Sequence, residues 1–393
     1  MKKINIPVKN LLPLVLIMSI LSLSCNKDVP EPVGKVFPPS SGEKSIAAIL
    51  SENSNYSILK NALTRAGLMS TLWDDSKSFT LFAPDNQAFT YSGLNNDIIN
   101  MLPLEQLVPV LLYHVVPQKV TASKIPSTFP NLQYPSLLNP APSVSSLLRL
   151  TAFPSAINGA WINNIPIKET DKVATNGVIH TTALVLMPPT RFLWDRISSD
   201  TGLTYMKAAI QRADSGVASS SLSNLEGLLK NIGANFTIFA PTNAAFKALL
   251  TGAIYQALVL QGMPAVTAYP TAQYLASTPA VFSNPALYGA LSAQTVKGIL
   301  VYHIMTNRAF TNSFPIDGGV YKTVLNTVVS NHPGIELYAE FGRMFVSDAV
   351  VGGYANETYS NILIDNTPEP NGTSDQHYLN GVLHKIDQVL LPQ

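Results

Sequence analysis

Two tyrosine–histidine pairs recur in the sequence, and their side chains are of types that could perform chemistry. Tyr113-His114 and Tyr302-His303 follow similar apolar segments, each at the expected end of a helix. A histidine beside a tyrosine could transfer protons as a general acid or base. Catalysis would need an acid, a nucleophile or a metal ligand that recurs with each pair, and the sequence repeats none. We therefore predict that both histidines are hydrogen-bonded structural residues. A hydrolase that uses one of them is the less favoured hypothesis.

The remaining composition also disfavours an enzyme. The chain contains no nucleophile elbow, zinc-hydrolase motif, phosphate-binding loop or dinucleotide-binding glycine motif. Its single cysteine excludes an intramolecular disulfide and a two-cysteine metal site. The net charge of +1 provides no basic field to hold nucleic acid. We predict a non-enzymatic protein with no cofactor, no metal and no nucleic-acid partner. His180 and His384 lie on apolar strand patterns and are predicted to be core histidines, whereas His332 and His377 receive no role.

An internal duplication supplies the elements that position the two pairs. Residues 79–89 (Phe-Thr-Leu-Phe-Ala-Pro-Asp-Asn-Gln-Ala-Phe) and 236–246 (Phe-Thr-Ile-Phe-Ala-Pro-Thr-Asn-Ala-Ala-Phe) are identical at eight of eleven positions. Such self-similarity indicates a duplicated domain. The alternation at its start predicts a strand with one buried face, which the proline ends. Asp85 or Thr242, with the asparagine that follows, is expected to cap the next helix.

Two further segments recur in the same order. Residues 111–116 match 300–305, and Asn-Gly-Val-x-His at 176–180 recurs at 380–384. The separation of the copies grows from 157 residues at the first motif to 189 and 204 at the others. The second copy therefore carries two insertions, the first at about 252–292. Together the three motifs resemble those of the fasciclin-like domain, and the resemblance covers nearly everything after the first 44 residues, twice.

This resemblance implies a fold and a class of function. We expect an α+β protein of two tandem fasciclin-like domains, at residues 45–188 and 189–393. Each domain is expected to be a wedge of β-sheet packed with several short helices. The short linker at Pro188 and Pro189 predicts domains in fixed tandem. The family consists mostly of extracellular adhesion and binding modules, and its Tyr-His neighbourhood has been linked to receptor adhesion. By this resemblance the candidates for binding include Tyr113, His114, Tyr302 and His303.

The N-terminal residues indicate export and lipid attachment. A basic start and an apolar run at 11–23, too short to span a bilayer, predict a signal peptide over residues 1–25. Its last residue, Cys25, stands where a bacterial lipobox places the lipidated cysteine, although the preceding residues depart from the commonest pattern. Residues 26–44 contain four prolines and predict a disordered tether. We therefore expect a protein lipid-anchored to the bacterial outer membrane, facing the cell surface or else the periplasm.

Two long segments are depleted of charge. Residues 248–296, which span the first insertion, contain no Lys, Arg, Asp or Glu, and residues 125–167 contain only Arg149. Four prolines in the first of these segments exclude a membrane span. Such a segment either packs onto its own domain or forms a contact surface, because the centres of interfaces lose charge and gain aromatic residues. The candidate contact residues are Tyr255, Tyr269, Tyr274 and Tyr288.

The insertion itself is expected to be a compact, mostly helical or irregular elaboration that exposes part of this tyrosine set. Because the first copy lacks an equivalent segment, we expect deletion of residues 253–289 to leave the fold stable.

Two functions fit these features. The leading hypothesis is a lipid-anchored binding or adhesion protein of the cell envelope that recognises a protein or polysaccharide partner. The alternative is a structural accessory subunit of an outer-membrane nutrient-uptake complex, which requires a stoichiometric membrane partner. Both use the membrane through the N-terminal lipid, and neither requires catalysis.

Replacing the cysteine tests the anchor. We expect Cys25→Ser to move the protein from the membrane to the soluble fraction, because the acyl chains on this residue supply the membrane affinity. Fractionation followed by a high-salt wash and immunoblotting measures the change, with Ser40→Ala in the predicted tether as the control. A Cys25→Ser protein that stays on washed membranes would contradict the lipoprotein prediction.

Overall fold

The computed structural model describes residues 35–36, 44–342, 345–353 and 358–392. The predicted signal peptide, Cys25 and most of the predicted tether lie outside the described residues. Within the tether, Lys35–Val36 forms strand β1, which pairs in parallel with Glu169 and Thr170. This short part of the tether therefore differs from the predicted disorder.

The first copy combines short helices with a mixed sheet. Its helices are α1 (Ile46–Glu52), α2 (Ser57–Arg65), α3 (Met69–Trp73), α4 (Asn86–Tyr91), α5 (Asn96–Met101) and α6 (Leu104–Tyr113). Its strands are β2 (Phe79–Pro84), β3 (Val115–Val116), β4 (Tyr134–Pro135), β5 (Thr151–Ala152), β6 (Pro154–Ser155), β7 (Trp161–Ile162), β8 (Ile165–Ala174) and β9 (Gly177–Thr182). The sheet has the order β3-β2-β9-β8-β7-β6 with β1 beside β8, and β4 pairs with β5 separately.

The second copy repeats this plan and adds to it. Its helices are α7 (Leu193–Ser199), α8 (Thr204–Ala213), α9 (Leu225–Leu229), α10 (Asn243–Leu260), α11 (Ala265–Leu275) and α12 (Ala293–Tyr302). Its strands are β10 (Phe236–Pro241), β11 (Ile304–Met305), β12 (Gly319–Tyr321), β13 (Ile335–Phe341), β14 (Val346–Gly352), β15 (Tyr359–Asn361), β16 (Gln376–Tyr378) and β17 (Gly381–Ile386). One sheet has the order β11-β10-β17-β16, and a further sheet, here called the outer sheet, has the order β12-β13-β14-β15.

The duplicated strand lies at the centre of each copy. Strand β2 pairs in parallel with β9 and antiparallel with β3, and β10 pairs in the same way with β17 and β11. All six residues of β2 are buried. Leu81 packs among the helices, whereas Phe82 faces a second cluster that contains Val116 and Ile167. The prediction of one buried face was therefore wrong, because the segment after β3 folds back over the other face of the sheet.

The residues after the strand connect it to two helices. The side chains of Asp85 and Thr242 accept hydrogen bonds from backbone N–H groups in the first turns of α4 and α10, so the predicted caps are confirmed. The next residues act differently. The Oδ1 atoms of Asn86 and Asn243 each accept a hydrogen bond, at 3.1 Å, from a backbone N–H in the first turn of α2 and α8. The motif therefore fixes an earlier helix against the strand, as well as starting a new one.

The first insertion is mostly helical, which is one of the two forms that the sequence predicted. Helix α10 extends to Leu260, whereas its counterpart α4 ends at Tyr91, and α11 packs against α10. Short 3₁₀ turns follow at Pro279–Ser283 and Pro285–Leu287.

One side of this insertion belongs to the core of the second copy. The Tyr205 hydroxyl donates a hydrogen bond to the Ala276 carbonyl oxygen at 2.7 Å. Phe282 meets the ring of Phe246 edge-on, with 6.0 Å between the ring centres. Deleting residues 253–289 would remove these contacts. The expectation that the deletion spares the fold therefore loses its physical basis.

The two copies contact each other through aromatic residues. Phe153 of the first copy forms a small buried cluster with Phe310 and Val382 of the second. The Arg308 guanidinium of the second copy lies 4.9 Å from the centre of the Phe153 ring. Phe153 belongs to the charge-poor segment 125–167, so contact between the copies gives part of that segment a structural reason for its lack of charge.

Arg308 is a buried cation held by neutral acceptors. Its guanidinium donates to Asn235 Oδ1 at 2.8 Å and to the carbonyl oxygens of Tyr378 and Leu379 at 3.0 and 2.6 Å. Burial lowers the pKa of Arg308 to about 10, so the group stays charged at neutral pH. These bonds offset the cost of removing the charge from water.

The aromatic rings of the duplicated strands offer a test of the core. Phe82 and Phe239 are both fully buried and stack on His180 and His384, with ring centres 5.5 and 5.7 Å apart. We expect Phe82→Ala and Phe239→Ala each to lower the free energy of unfolding by about 3–5 kcal/mol. Urea unfolding measures the loss, with exposed Tyr91→Ala as the control. A loss under about 1 kcal/mol for both variants would show that these rings are not core residues.

Candidate functional site

Both histidines of the duplicated tyrosine–histidine pairs are buried and hydrogen-bonded to the backbone. Nδ1 of His114 lies 2.7 Å from the carbonyl oxygen of Val110, and the backbone N–H of Leu186 donates to its Nε2 at 2.9 Å. His303 makes the equivalent bonds at 2.8 and 2.9 Å. The proton of each neutral ring therefore resides on Nδ1, which donates to the last turn of α6 or α12. Each imidazole joins the end of a helix to the segment that follows the closing strand.

Burial sets the protonation state of these histidines. It lowers the pKa of His114 and of His303 to about 4, although the bond to a carbonyl oxygen opposes the shift. Both rings are therefore neutral at pH 7. Because both ring nitrogens already have backbone partners, the arrangement suits a structural residue, as predicted.

The partner tyrosines are also internal. The Tyr113 hydroxyl donates to the Thr151 carbonyl oxygen and accepts from Asn163 Nδ2, both at 3.1 Å, and burial raises the pKa of Tyr113 to about 12. The Tyr302 hydroxyl donates to the Gly334 carbonyl oxygen at 2.7 Å.

No surface for a partner is formed by these four predicted binding residues. All four of them are at most 1% exposed: Tyr113, His114, Tyr302 and His303. Direct contact with a partner is therefore excluded for them in this conformation, and any contribution that they make to binding would be through positioning.

The histidines of the closing strands are core residues, which confirms the prediction. Nε2 of His180 lies 2.8 Å from the Val120 carbonyl oxygen, and Nε2 of His384 lies 2.9 Å from that of Ala309. Burial lowers the pKa of both.

His377, which the sequence left without a role, accepts a hydrogen bond from Arg308 at 2.6 Å between Nε2 and Nη1. Its ring meets Phe153 of the first copy edge-on, so it belongs to the contact between the copies. Burial and the arginine lower its pKa.

The described part of the chain contains no arrangement of side chains typical of a metal site. Among those residues, no group of three or more His, Cys, Asp or Glu side chains is placed to hold a metal ion.

The predicted contact tyrosines differ in exposure. Tyr274 is 79% exposed, and Tyr269 is also exposed on α11. Tyr255 is partly buried and meets Tyr269 edge-on, with ring centres 5.9 Å apart. The ring of Tyr288 is covered by the Arg212 guanidinium at 3.6 Å, so it is engaged within the chain.

Other exposed apolar side chains lie on the same helical hairpin, α10–α11, as the exposed tyrosines. Leu260 is 87% exposed at the end of α10, and Val259 and Val266 are exposed beside it. We call this set the hairpin surface, consisting of Val259, Leu260, Val266, Tyr269 and Tyr274. The absence of charge in the sequence singled out the tyrosines as candidate contact residues. It did not indicate that these aliphatic residues would also be exposed.

Helix α10 is the one helix, within the described residues, whose length and mean hydropathy of 1.2 match a membrane span. One such helix is weak support for a span. Its Phe246, Leu250 and Ile254 pack into the core of the second copy.

Comparison with known proteins identifies the family. The Fasciclin domain family model matches residues 54–188. The chain is 31% identical over 148 residues to Protein sll1483 of Synechocystis sp., covering 37% of this chain and 74% of that protein. It is 30% identical over 145 residues to transforming growth factor-beta-induced protein ig-h3 of Sus scrofa, covering 37% of this chain but only 19% of that protein.

Among solved structures, a FAS1 domain pair from the insect cell adhesion molecule Fasciclin I matches 86% of this chain and 98% of that chain. The sequence identity is 17% and the TM-score 0.32.

The chain belongs to the fasciclin domain family. It carries two copies of the domain in tandem, in the α+β arrangement that the sequence predicted. Fasciclin domains are adhesion and binding modules, and this is the class of function that membership implies.

The buried histidines generate a pH prediction. Unfolded histidines take up protons near pH 6.5, whereas His114 and His303 in the folded chain do so near pH 4. Between these values the unfolded state binds more protons, so the free energy of unfolding falls as the pH is lowered from 6.5 to 4. The expected loss is up to about 3 kcal/mol for each histidine.

Urea unfolding at several pH values between 4 and 7 measures this dependence. We expect the double variant His114→Gln, His303→Gln to lose less stability over the same pH range than the parent chain. An identical pH dependence in the two proteins would show that these residues are not neutral in the fold.

Proposed function

We propose that this chain is a lipid-anchored protein of the bacterial cell envelope that binds a protein partner through the hairpin surface and performs no catalysis. The observation that carries the proposal is an uncharged, apolar and aromatic surface on a helical hairpin that is firmly attached to a core. Family membership supports the binding class, and the N-terminal sequence supports the anchor.

The composition of the hairpin surface favours a contact rather than solvent. Residues 248–296 contain no charged side chain, whereas a solvated helix face ordinarily carries charge. Leu260, Val266 and Tyr274 are all largely exposed. Several large apolar residues exposed on one element favour an interaction site, and tyrosine is enriched at the centres of interfaces.

The attachment of the hairpin reduces the entropic cost of binding. Tyr205 and Phe246 in the core hold residues from the end of the insertion, as described above. Pro264 precedes α11 and Pro270 lies within it, which restricts the backbone further. A surface that is ordered before contact loses less conformational freedom on binding.

The internal histidines support a function without turnover. The two duplicated pairs resemble a proton-transfer site in sequence, but both imidazoles are neutral and hydrogen-bonded on both sides to the backbone. A general base must reach a substrate proton, and these nitrogens are already engaged.

Substitutions on the hairpin surface test the binding role. We expect the double variant Leu260→Ser, Tyr274→Ser to reduce recovery of membrane partners by at least about tenfold, the effect of losing about 1.4 kcal/mol of binding free energy. Recovery is measured by quantitative mass spectrometry after affinity purification from gently solubilised membranes. Thermal unfolding verifies that the variant is folded.

The chain offers a matched control elsewhere on its surface. Leu147 and Leu222 are 86% and 85% exposed, comparable to Leu260, and the variant Leu147→Ser, Leu222→Ser should retain the partners. Equal recovery with both double variants would contradict the proposal. A partner that is an outer-membrane transporter at equal stoichiometry would instead identify the chain as its accessory subunit. Binding to isolated envelope polysaccharide that depends on the hairpin surface would replace the protein partner with a glycan.

A further inference from the structure

The outer sheet has one face in the core and one face toward solvent. On β13, Ile335, Leu337 and Ala339 are buried, and the residues between them point outward. This alternation follows from the period of two along a strand. The outward residues of the four strands therefore form a surface of their own, to which no sequence motif assigned a role.

Strand register brings an acid and a tyrosine into one row across this surface. Glu336 lies opposite Gly352, and Gly352 lies opposite Tyr359 on the next strand. The adjacent row contains Tyr338, Val350 and Asn361 in the same order. Neighbouring strands are about 4.8 Å apart, so these six side-chain positions occupy one small area.

The glycine between Glu336 and Tyr359 lets the tyrosine lie across the sheet. The Tyr359 hydroxyl donates a hydrogen bond to Glu336 Oε2 at 3.2 Å, two strands away. A Cβ atom at Gly352 would be 2.9 Å from the Cε1 atom of the Tyr359 ring. The ring therefore packs directly over the backbone, and the side chain remains 54% exposed.

A second glycine makes room for the carboxylate. Gly318 has a φ of +79°, and a Cβ atom there would be 2.9 Å from Glu336 Oε1. Any other residue would be strained at this angle and would press on the acid. The two glycines thus leave an open space beside an aromatic ring and a carboxylate.

This space is a cleft of about 440 Å³. Its lining residues are Ile316, Asp317, Gly318, Glu336, Tyr338, Val350, Gly352, Tyr359 and Asn361. No basic residue is among these described residues of the lining.

Two polar side chains of the lining already donate to carboxylates outside it. The Tyr338 hydroxyl donates to Glu340 at 2.7 Å, and the Asn361 amide donates to Asp387 at 2.7 Å. An anionic ligand would need donors, whereas the carboxylates of Asp317 and Glu336 supply acceptors.

We propose that this cleft binds a lysine or arginine side chain of a protein partner. An ammonium or guanidinium group over the exposed face of Tyr359 gains a cation–π interaction, and Glu336 and Asp317 accept its charge-assisted hydrogen bonds. Val350 offers an apolar contact to the aliphatic stem of the side chain. The inference rests on the proposed function and adds the chemical class of the partner, which is a protein with an exposed basic segment.

The position of the cleft favours a protein over a free amine. The cleft is open to solvent, and the outer sheet ends at β12, whose outer edge is not paired within the described sheet. An extended segment can lie beside such an edge while its side chains reach the neighbouring face. A site for a small free amine would instead enclose most of its ligand.

Peptide binding to the full-length chain in mild detergent tests the inference. Penta-lysine and penta-arginine are the probes, and penta-(acetyl-lysine) is the neutral control. We expect the basic peptides to shift the backbone NMR signals of Tyr338, Gly352 and Asn361, with affinity that falls as salt is added. The acetylated peptide should leave these signals unchanged.

Matched variants locate the interaction. Glu336→Gln and Tyr359→Ala should each weaken penta-lysine binding by at least about tenfold, equivalent to about 1.4 kcal/mol. Gly352→Ala should also weaken binding, because its methyl group displaces the tyrosine ring. The controls are Glu226→Gln and Tyr91→Ala, which change the same residue types elsewhere on the surface and should bind normally.

The inference is overturned if the basic peptides leave the cleft signals unmoved, or if Glu336→Gln and Tyr359→Ala bind as well as the controls. It is also overturned if neutral oligosaccharides produce the same shifts while penta-lysine does not, since the cleft would then be a carbohydrate site. The hairpin variant Leu260→Ser, Tyr274→Ser should bind penta-lysine normally. Failure of the hairpin test therefore leaves the peptide result intact, and failure of the peptide test leaves partner capture by the hairpin intact.

Discussion

The parallel pairing of the duplicated strand with the closing strand is the contact on which each copy depends. Phe79 lies opposite Gly177 and Phe236 lies opposite Gly381, in the same register. A Cβ atom at Gly177 would be 1.9 Å from the Phe79 carbonyl oxygen, and one at Gly381 would be 2.5 Å from that of Phe236. The glycine of the closing motif is therefore required by the approach of two backbones. The Asn-Gly-Val-x-His motif is therefore repeated because the same steric constraint applies in both copies.

The asparagine before that glycine extends the same constraint to the helices. Asn176 Oδ1 accepts the backbone N–H of Ile46, and Asn380 Oδ1 accepts that of Leu193. Their amide groups donate to carbonyl oxygens at the end of a second helix in each copy. A buried side-chain amide that is satisfied in this way fixes the position of several elements at once. The asparagine and glycine of the closing motif thus hold the strands and helices together. This explains why they are internal and not available to a partner.

Sequence reasoning succeeded where one local rule decided the outcome. Capping chemistry at Asp85 and the core position of His180 both follow from short-range patterns. It failed where distant segments decide. The burial of both faces of β2 depends on the return of the chain after β3. The Tyr-His pairs were rightly predicted to be structural, but their full removal from the surface, which excludes them as direct binding residues, depends on segments beyond the closing strand. The cleft at Glu336 depends on strand register. One extra residue in a strand would turn its side chains to the opposite face of the sheet.

The residues that the two copies share determine the fold, whereas the proposed binding surfaces lie on elements in which the copies differ. Both copies satisfy the same interior constraints, so the shared residues leave little freedom for a surface specific to this protein. The elements that exceed the common plan are α11 with the extended α10, and the outer sheet, and both occur in the second copy. The hairpin surface and the cleft lie on these additions. Part of the charge-poor segment of the first copy is instead used against Phe310 of the second. Contact between the copies thus occupies part of the first copy, and both of the proposed binding surfaces lie on the second.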